Sequence, residues 1–360
     1  MAMTDSGRPD PSGWTVQEAV DRYLERVRRE TTRSTSETYR LDLRQFVQWC
    51  KSHDIEQIAD CTGYDFERYE ADRAAALAPT SLENQMGLLK RFIAFCEDVG
   101  AVEDGLQERV HVPRADPADQ SRDERLAVED ATRLLLHFRD RSNGLYGSKW
   151  HALLEVIWHT GCRLGGIIAL DLEDYDGEAN VLEFRHRPTQ GTPLKNKRDG
   201  ERDVGVLPEV ADVLEAYIDE TRFDRHDEHG RAPLFTTRSS QGRLSENAVR
   251  TWSYQATHPC WHTDDPCPHD KVRDDCGWTV ADQSSKCPSS RAPHAVRTGS
   301  ITFHRNRGFE KADVARRVNA SMRTIERHYD KPDRREELET RRRPQLDKLS
   351  LSDHQEDEPQ

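Results

Sequence analysis

The chain has 360 residues, enough for two ordinary domains, and carries 66 Asp and Glu against 53 Lys and Arg, a formal charge of −13. Hydrophobic residues are only 34% and charged residues 33%. No run is apolar enough for a membrane span, and the opening MAMTDSGRPDPSG lacks the apolar stretch of a secretory signal, so a cytoplasmic protein is expected. An acidic balance alone argues against nucleic acid as a partner. A dense, acidic, lysine-poor surface also resembles proteins of salt-loving organisms, in which counterion release contributes little and a few arginines on phosphate outweigh net charge.

Residues 1–13 are expected to be disordered. Residues 14–98 read as a small bundle of four helices. Val16, Ala19, Val20, Tyr23, Leu24 and Val27 recur at helical spacing, as do Tyr39, Leu43, Phe46, Val47 and Cys50. A shorter helix is expected near Tyr64–Ala75. A fourth carries Leu82, Met86, Leu89, Ile93 and Cys96, with Thr80 or Ser81 as its N-cap. The polar stretch 99–125, with two prolines, reads as a linker.

A second domain is expected over 126–349. LAVEDATRLLLHF and KWHALLEVIWHTG read as helices. VLEFRH and DVGVL read as strands, and Asp199-Gly200 between them is a hairpin signal. Helix returns at VADVLEAYIDE, after Pro293, and over 311–328; the tail 350–360 reads as disordered. The fold class expected is therefore mainly α with a small β-hairpin or sheet (α+β).

Five residues form a complete set for breaking a phosphodiester: Arg163, Lys195, His294, Arg297 and Tyr329. Arginine is the best fixed donor to the non-bridging oxygens, because its planar fork bonds two of them and stays charged. Two arginines make a clamp of the oxyanion-hole type. Lysine suits the general acid that protonates the leaving 5′ oxygen, and histidine suits the base or orienting donor. Tyrosine supplies a covalent intermediate that conserves the bond energy for rejoining. His294 and Arg297 follow a helix-starting Pro293 and share one helical face. Singly, each of the five is an ordinary surface charge or packing residue; the set and its context carry the reading.

The motifs around these residues resemble those of the tyrosine recombinases, or phage-type integrases. TGCRLGGIIALDLEDYD resembles the family's first-arginine box, PHAVRTGSI its HxxR box, and DVARRVNASMRTIERHYD its terminal box with the nucleophile. The resemblance runs to about residue 345. It implies an N-terminal helical core-binding domain over 14–98 and a catalytic domain over 126–349, clamped around duplex DNA. It also implies a 3′-phosphotyrosyl link at Tyr329 and strand exchange within a tetramer on two DNA sites, without ATP or a catalytic metal. Three positions depart from the pattern. Ala320 stands where the family usually has His or Trp, with Asn319 or His328 as substitutes. Gly166 stands where an acidic residue is frequent. Lys195 and Lys197 both lie on the lysine hairpin, and Lys195 is preferred for its place before the turn.

Residues 258–288 hold four cysteines and three histidines just before the HxxR helix. Too polar to order by burial, the segment suits a structural zinc ion bound by Cys260, Cys267, Cys276 and Cys287, with His262 or His269 as a replacement for one of them. The spacing lacks a CxxC knuckle, and a loop with free thiols is the alternative. Arg33, Arg40, Arg44, Lys90 and Arg91 punctuate the N-terminal helices and are the expected DNA contacts, with neutral donors at 31–36 and 80–81. A charged helix is expected after Tyr329. The sequence therefore points to a site-specific DNA recombinase. Alternatives are a non-catalytic DNA-binding protein on the same scaffold, a zinc-dependent regulator and a type IB topoisomerase.

Overall fold

The computed structural model describes residues 10–31, 33–116, 124–261, 266–330 and 332–349, with the side chains of 33, 34, 261 and 347–349 left out. The expectations for residues 1–9 and 350–360 lie outside the described residues. The chain divides into two compact units, 1–122 and 123–360.

The first unit holds α1 (Val16–Glu30), α2 (Arg33–Ser52), α3 (Gly63–Ala74) and α4 (Pro79–Asp98). A capping box starts α1: Thr15 Oγ1 accepts from Glu18 N at 3.2 Å, and the Glu18 carboxylate accepts from Thr15 N at 2.9 Å. The six apolar residues that set the period of α1 are the six it buries. They meet an aromatic cluster in which Tyr23 lies 5.6 Å from Phe92 and Phe46 lies 5.2 Å from Tyr69, ring centre to ring centre. Three local expectations change. Pro79 after Ala78 starts α4, not a Thr80 or Ser81 cap, because proline's fixed φ presets the first turn. Residues 11–13 form a turn capped by Asp10, leading into the buried Trp14. The stretch expected as linker begins later, because Ala101, Val102, Leu106 and Val110 are buried in this core.

The second unit is built around α6. Its helices are α5 (Val128–Arg139), α6 (Lys149–Thr160), α7 (Leu164–Ala169), α8 (Pro208–Ala216), α9 (Glu246–Ala256), α10 (Pro293–Asn306) and α11 (Lys311–Val318). Helix α6 is buried on almost every side, as its apolar composition requires, and packs against α5, α8, α9 and α10. A Cβ at Gly299 of α10 would stand 2.1 Å from the Leu126 carbonyl oxygen, so only glycine lets the entering chain pass there. Leu126 N then donates to Ala295 O at 3.0 Å.

Strands β1 (Tyr175–Asp176), β2 (Val181–Phe184) and β3 (Arg202–Gly205) form an antiparallel sheet in that order, with Leu182 opposite Val204. Asp199-Gly200 is not the hairpin turn. The β2–β3 connection spans residues 185–201, and Asp199 and Gly200 end a 3₁₀ turn, Lys197–Gly200, inside it.

The acidic run after the first-arginine box is structural. Asp171 and Asp174 are buried and bind Arg243 (2.5 Å), Arg231 (3.2 Å) and Arg187 (2.6 Å to Asp174), while Asp227 bridges Arg231 and Arg243 at 3.1 and 2.7 Å. Removing one partner of such a cluster leaves uncompensated buried charge. Asp171→Ala should therefore lower stability by about 3–5 kcal/mol, read as a fall in the urea midpoint at unchanged slope.

Candidate active site

Gly161 ends α6 with φ +57°, and a Cβ there would meet Val318 at 2.6 Å. This left-handed turn sends the chain into Arg163, the N-cap residue of α7. Pro293 starts α10, which carries His294 at the surface and Arg297 in the interior, with 1% of its surface exposed. Tyr329 ends a π-helical turn, Ile325–Tyr329, and is buried among Ile301, Val314, Val318 and Ile325. Its carbonyl accepts from Thr302 Oγ1 at 3.1 Å, which ties it to α10.

These elements bring four of the expected residues together. The Arg297 guanidinium carbon lies 4.7 Å from the Tyr329 ring centre, and the His294 and Tyr329 rings are 5.2 Å apart at 52°. Arg297 donates one terminal nitrogen to Gly161 O and to Val318 O (2.9 Å). No protein group meets its Nε or other terminal nitrogen at full hydrogen-bond geometry, and the Tyr329 side chain is the hydrogen-bonding neighbour of the guanidinium. Burial lowers the Arg297 pKa to about 10, so it stays charged at neutral pH. Partial desolvation, then the charges of Arg297, Arg163, Lys195 and His328, push the His294 pKa below 6.5. Lys195, exposed on the β2–β3 connection, thus lies within electrostatic reach of His294.

Arg163 donates to the Asn319 carbonyl at 2.5 Å. Ala320 is partly buried against the Tyr329 cluster and offers no polar group. Gly166 faces Phe184, whose ring atoms lie 3.3 Å from where a Cβ would stand, so a side chain there would need the ring to give by a few tenths of an ångström. Phe184 is covered in turn by the Arg202 guanidinium at 4.1 Å. Arg202, Arg317 and Asn196 are polar residues of this region that the motif reading missed. Strand alternation gave a signal for one: Arg202 shares a face with the buried Val204.

The metal expectation finds no support in the described residues. Among the described residues no group of three or more His, Cys, Asp or Glu is arranged to hold a metal ion. Cys260, Cys267 and Cys276 are partly exposed and Cys287 is buried. His269 Nε2 pairs with Ser289 Oγ at 2.8 Å, and His262 lies outside the described residues. Ser284 O accepts from the buried Ser290 Oγ at 2.9 Å and pairs with the buried His258 at 3.3 Å. A cavity of about 520 Å³ lined by Lys149, Trp150, Phe223, Arg238 and Trp252 shares no residue with the candidate site.

On the first unit, Arg44 and Arg91 are exposed; Arg91 donates to Tyr39 Oη at 3.3 Å. Arg40 is paired with Glu37 at 2.5 Å, Lys90 is half-buried, and the Arg33 side chain lies outside the described residues. Ser36 is buried, which removes it from the neutral donors. After Tyr329 the charged segment folds back on its own unit, with Arg341 on Asp330 at 2.6 Å and Glu336 on Arg125 at 2.7 Å.

Behind the site, burial lowers the His304 pKa from 6.5 to about 4. The unfolded chain therefore binds this proton more readily. Its contribution is complete above pH 6.5 and is lost as pH falls towards 4, amounting to about 3 kcal/mol. His304→Gln should flatten the fall in urea stability across that window.

Residues 20–100 match the family model described as phage integrase, N-terminal SAM-like domain. The chain is 26% identical over 208 residues to tyrosine recombinase XerD of Lacticaseibacillus casei, covering 56% of this chain and 62% of that relative, less than two thirds of its length. It is 23% identical over 255 residues to tyrosine recombinase XerC of Xanthomonas campestris pv. campestris, covering 69% and 74%. In fold it is similar to the Tn1549 transposon integrase, solved in complex with a circular intermediate DNA, at 15% identity, 93% and 99% coverage and TM-score 0.60. No described helix is long and apolar enough to cross a membrane.

Proposed function

The chain belongs to the tyrosine recombinase family, and we propose that it is a site-specific DNA recombinase whose nucleophile is Tyr329. The observation that carries this reading is Arg297: a buried cation whose Nε and second terminal nitrogen make no well-formed bond to the protein and whose guanidinium lies against the Tyr329 side chain. Buried donors without partners are rare, and a phosphate oxygen is the acceptor that satisfies both charge and geometry. Arg163 supplies the second half of the clamp.

Tyr329 Oη attacks phosphorus and forms a 3′-phosphotyrosyl ester, while the bond to the 5′ oxygen breaks. His294, held neutral at pH 7 by its surroundings, accepts the tyrosine proton. Lys195 gives its proton to the leaving 5′ oxygen. Reversal with a second strand's 5′ hydroxyl rejoins DNA, so no energy source is consumed. Exchange then runs between two DNA sites on a tetramer in the cytoplasm, with Arg33, Arg40, Arg44, Lys90 and Arg91 contacting the duplex.

The test uses duplex DNA flanking the protein's own gene, incubated in high potassium chloride and quenched with detergent. Wild type should give a covalent protein–DNA band and Tyr329→Phe none. Arg297→Ala should slow its appearance by about 10²–10³-fold, the usual loss for a transition-state donor. Sequence-specific binding without a band in wild type would instead favour a non-catalytic DNA-binding protein, the reading to which Ala320 lends weight.

A further inference from the structure

We infer that the Asn319 side chain is a positioning residue that keeps the Lys195 loop in register with the paired arginines. The inference rests on the function proposed above.

Asn319 closes α11 in the left-handed region, at φ +52°, which asparagine tolerates better than most residues. Its Oδ1 accepts from Asn196 Nδ2 at 2.9 Å. Its Nδ2 lies 2.8 Å from where a Cβ on Gly200 would stand, so the amide packs close over Gly200, where only glycine leaves it room. Arg202 closes the arrangement, donating to Gly200 O at 3.0 Å and to Arg317 O at 2.7 Å. Lys195 itself is exposed. Its placement therefore depends on the loop that carries it, and one end of that loop hangs on Asn319. The Asn319 backbone carbonyl meanwhile holds Arg163. One residue thus links the cation that would bind phosphate with the loop bearing the general acid, and the neighbouring Ala320 contributes no polar atom to that task.

The test separates acid positioning from general damage. Duplex DNA spanning the mapped cleavage site is made with the ordinary 5′ oxygen and, separately, with sulfur at that bridging position. On the sulfur DNA the Tyr329 Oη–phosphorus bond forms and the phosphorus–sulfur bond breaks. Sulfur leaves as a thiolate without a donated proton, because a thiol's pKa is only about 8.5. On the oxygen DNA, Asn319→Ala and Asn196→Ala should each cleave about tenfold more slowly, part of the 10²–10⁴ a general acid contributes. On the sulfur DNA both should return to within about threefold of wild type, as should Lys195→Ala, because the acid no longer limits the step. The double variant should be no slower than either single one. Asn319→Gly retains the left-handed turn and should match Asn319→Ala, which assigns the effect to the amide. Equal losses on both DNAs, or no loss on either, overturn the inference. Failure of wild type to form an adduct even on sulfur DNA overturns the recombinase reading and this inference with it.

Discussion

Three successive carbonyls at the end of α11 accept from three arginines: residue 317 from Arg202, residue 318 from Arg297 and residue 319 from Arg163. A helix C-terminus leaves its last carbonyls without intrahelical partners and carries a partial negative charge. Guanidinium groups from β3, α10 and the start of α7 answer that charge. They are thereby brought within reach of one another, although like charges would otherwise separate them. Arg317 adds the converse link, donating to His159 O at 2.7 Å and Gly205 O at 2.9 Å. The segment between α11 and the Tyr329 turn is thus fastened to α6, β3, α7 and α10 at once.

Burying Arg297 is costly unless its charge and N–H groups are met. Two backbone carbonyls meet one nitrogen and the Tyr329 ring covers a face; the other two nitrogens have no well-formed bond and only the Tyr329 side chain as a polar neighbour. In the proposed reading that deficit is what a phosphate repairs, and it is preorganised because the carbonyl contacts fix the guanidinium before DNA arrives. Desolvation first, and then the same positive charges, lower the His294 pKa and so favour the neutral form that a proton acceptor needs.

The bundle of the first unit was legible because its helices follow the 3.6-residue period without conflict, down to the six buried residues of α1. The five candidate residues were legible as a set, because their neighbours in sequence form recognisable boxes. What escaped is what the local pattern does not encode. Asp199-Gly200 has hairpin chemistry, yet the turn it makes lies within a longer connection whose course is set by Asn319 and Arg202. The buried roles of Asp171 and Asp174 depend on Arg187, Arg231 and Arg243, partners 13 to 72 residues away. The cysteine segment has the composition of a metal site, but composition does not place ligands, and among the described residues no group of three or more candidate ligands is arranged to hold a metal ion. Ala101, Leu106 and Val110 sit in a polar stretch whose overall composition hid their spacing.

In the proposed reading the Nε and free terminal nitrogen of Arg297 receive the scissile phosphate. A crystal structure of Tyr329→Phe bound to duplex DNA containing the cleavage site measures it directly. Non-bridging oxygens of one phosphate should lie within about 3.2 Å of Arg297 Nε or its free terminal nitrogen, with Arg163 on the same phosphate. Those nitrogens bonded to protein alone, with the nearest phosphate held elsewhere, would contradict it.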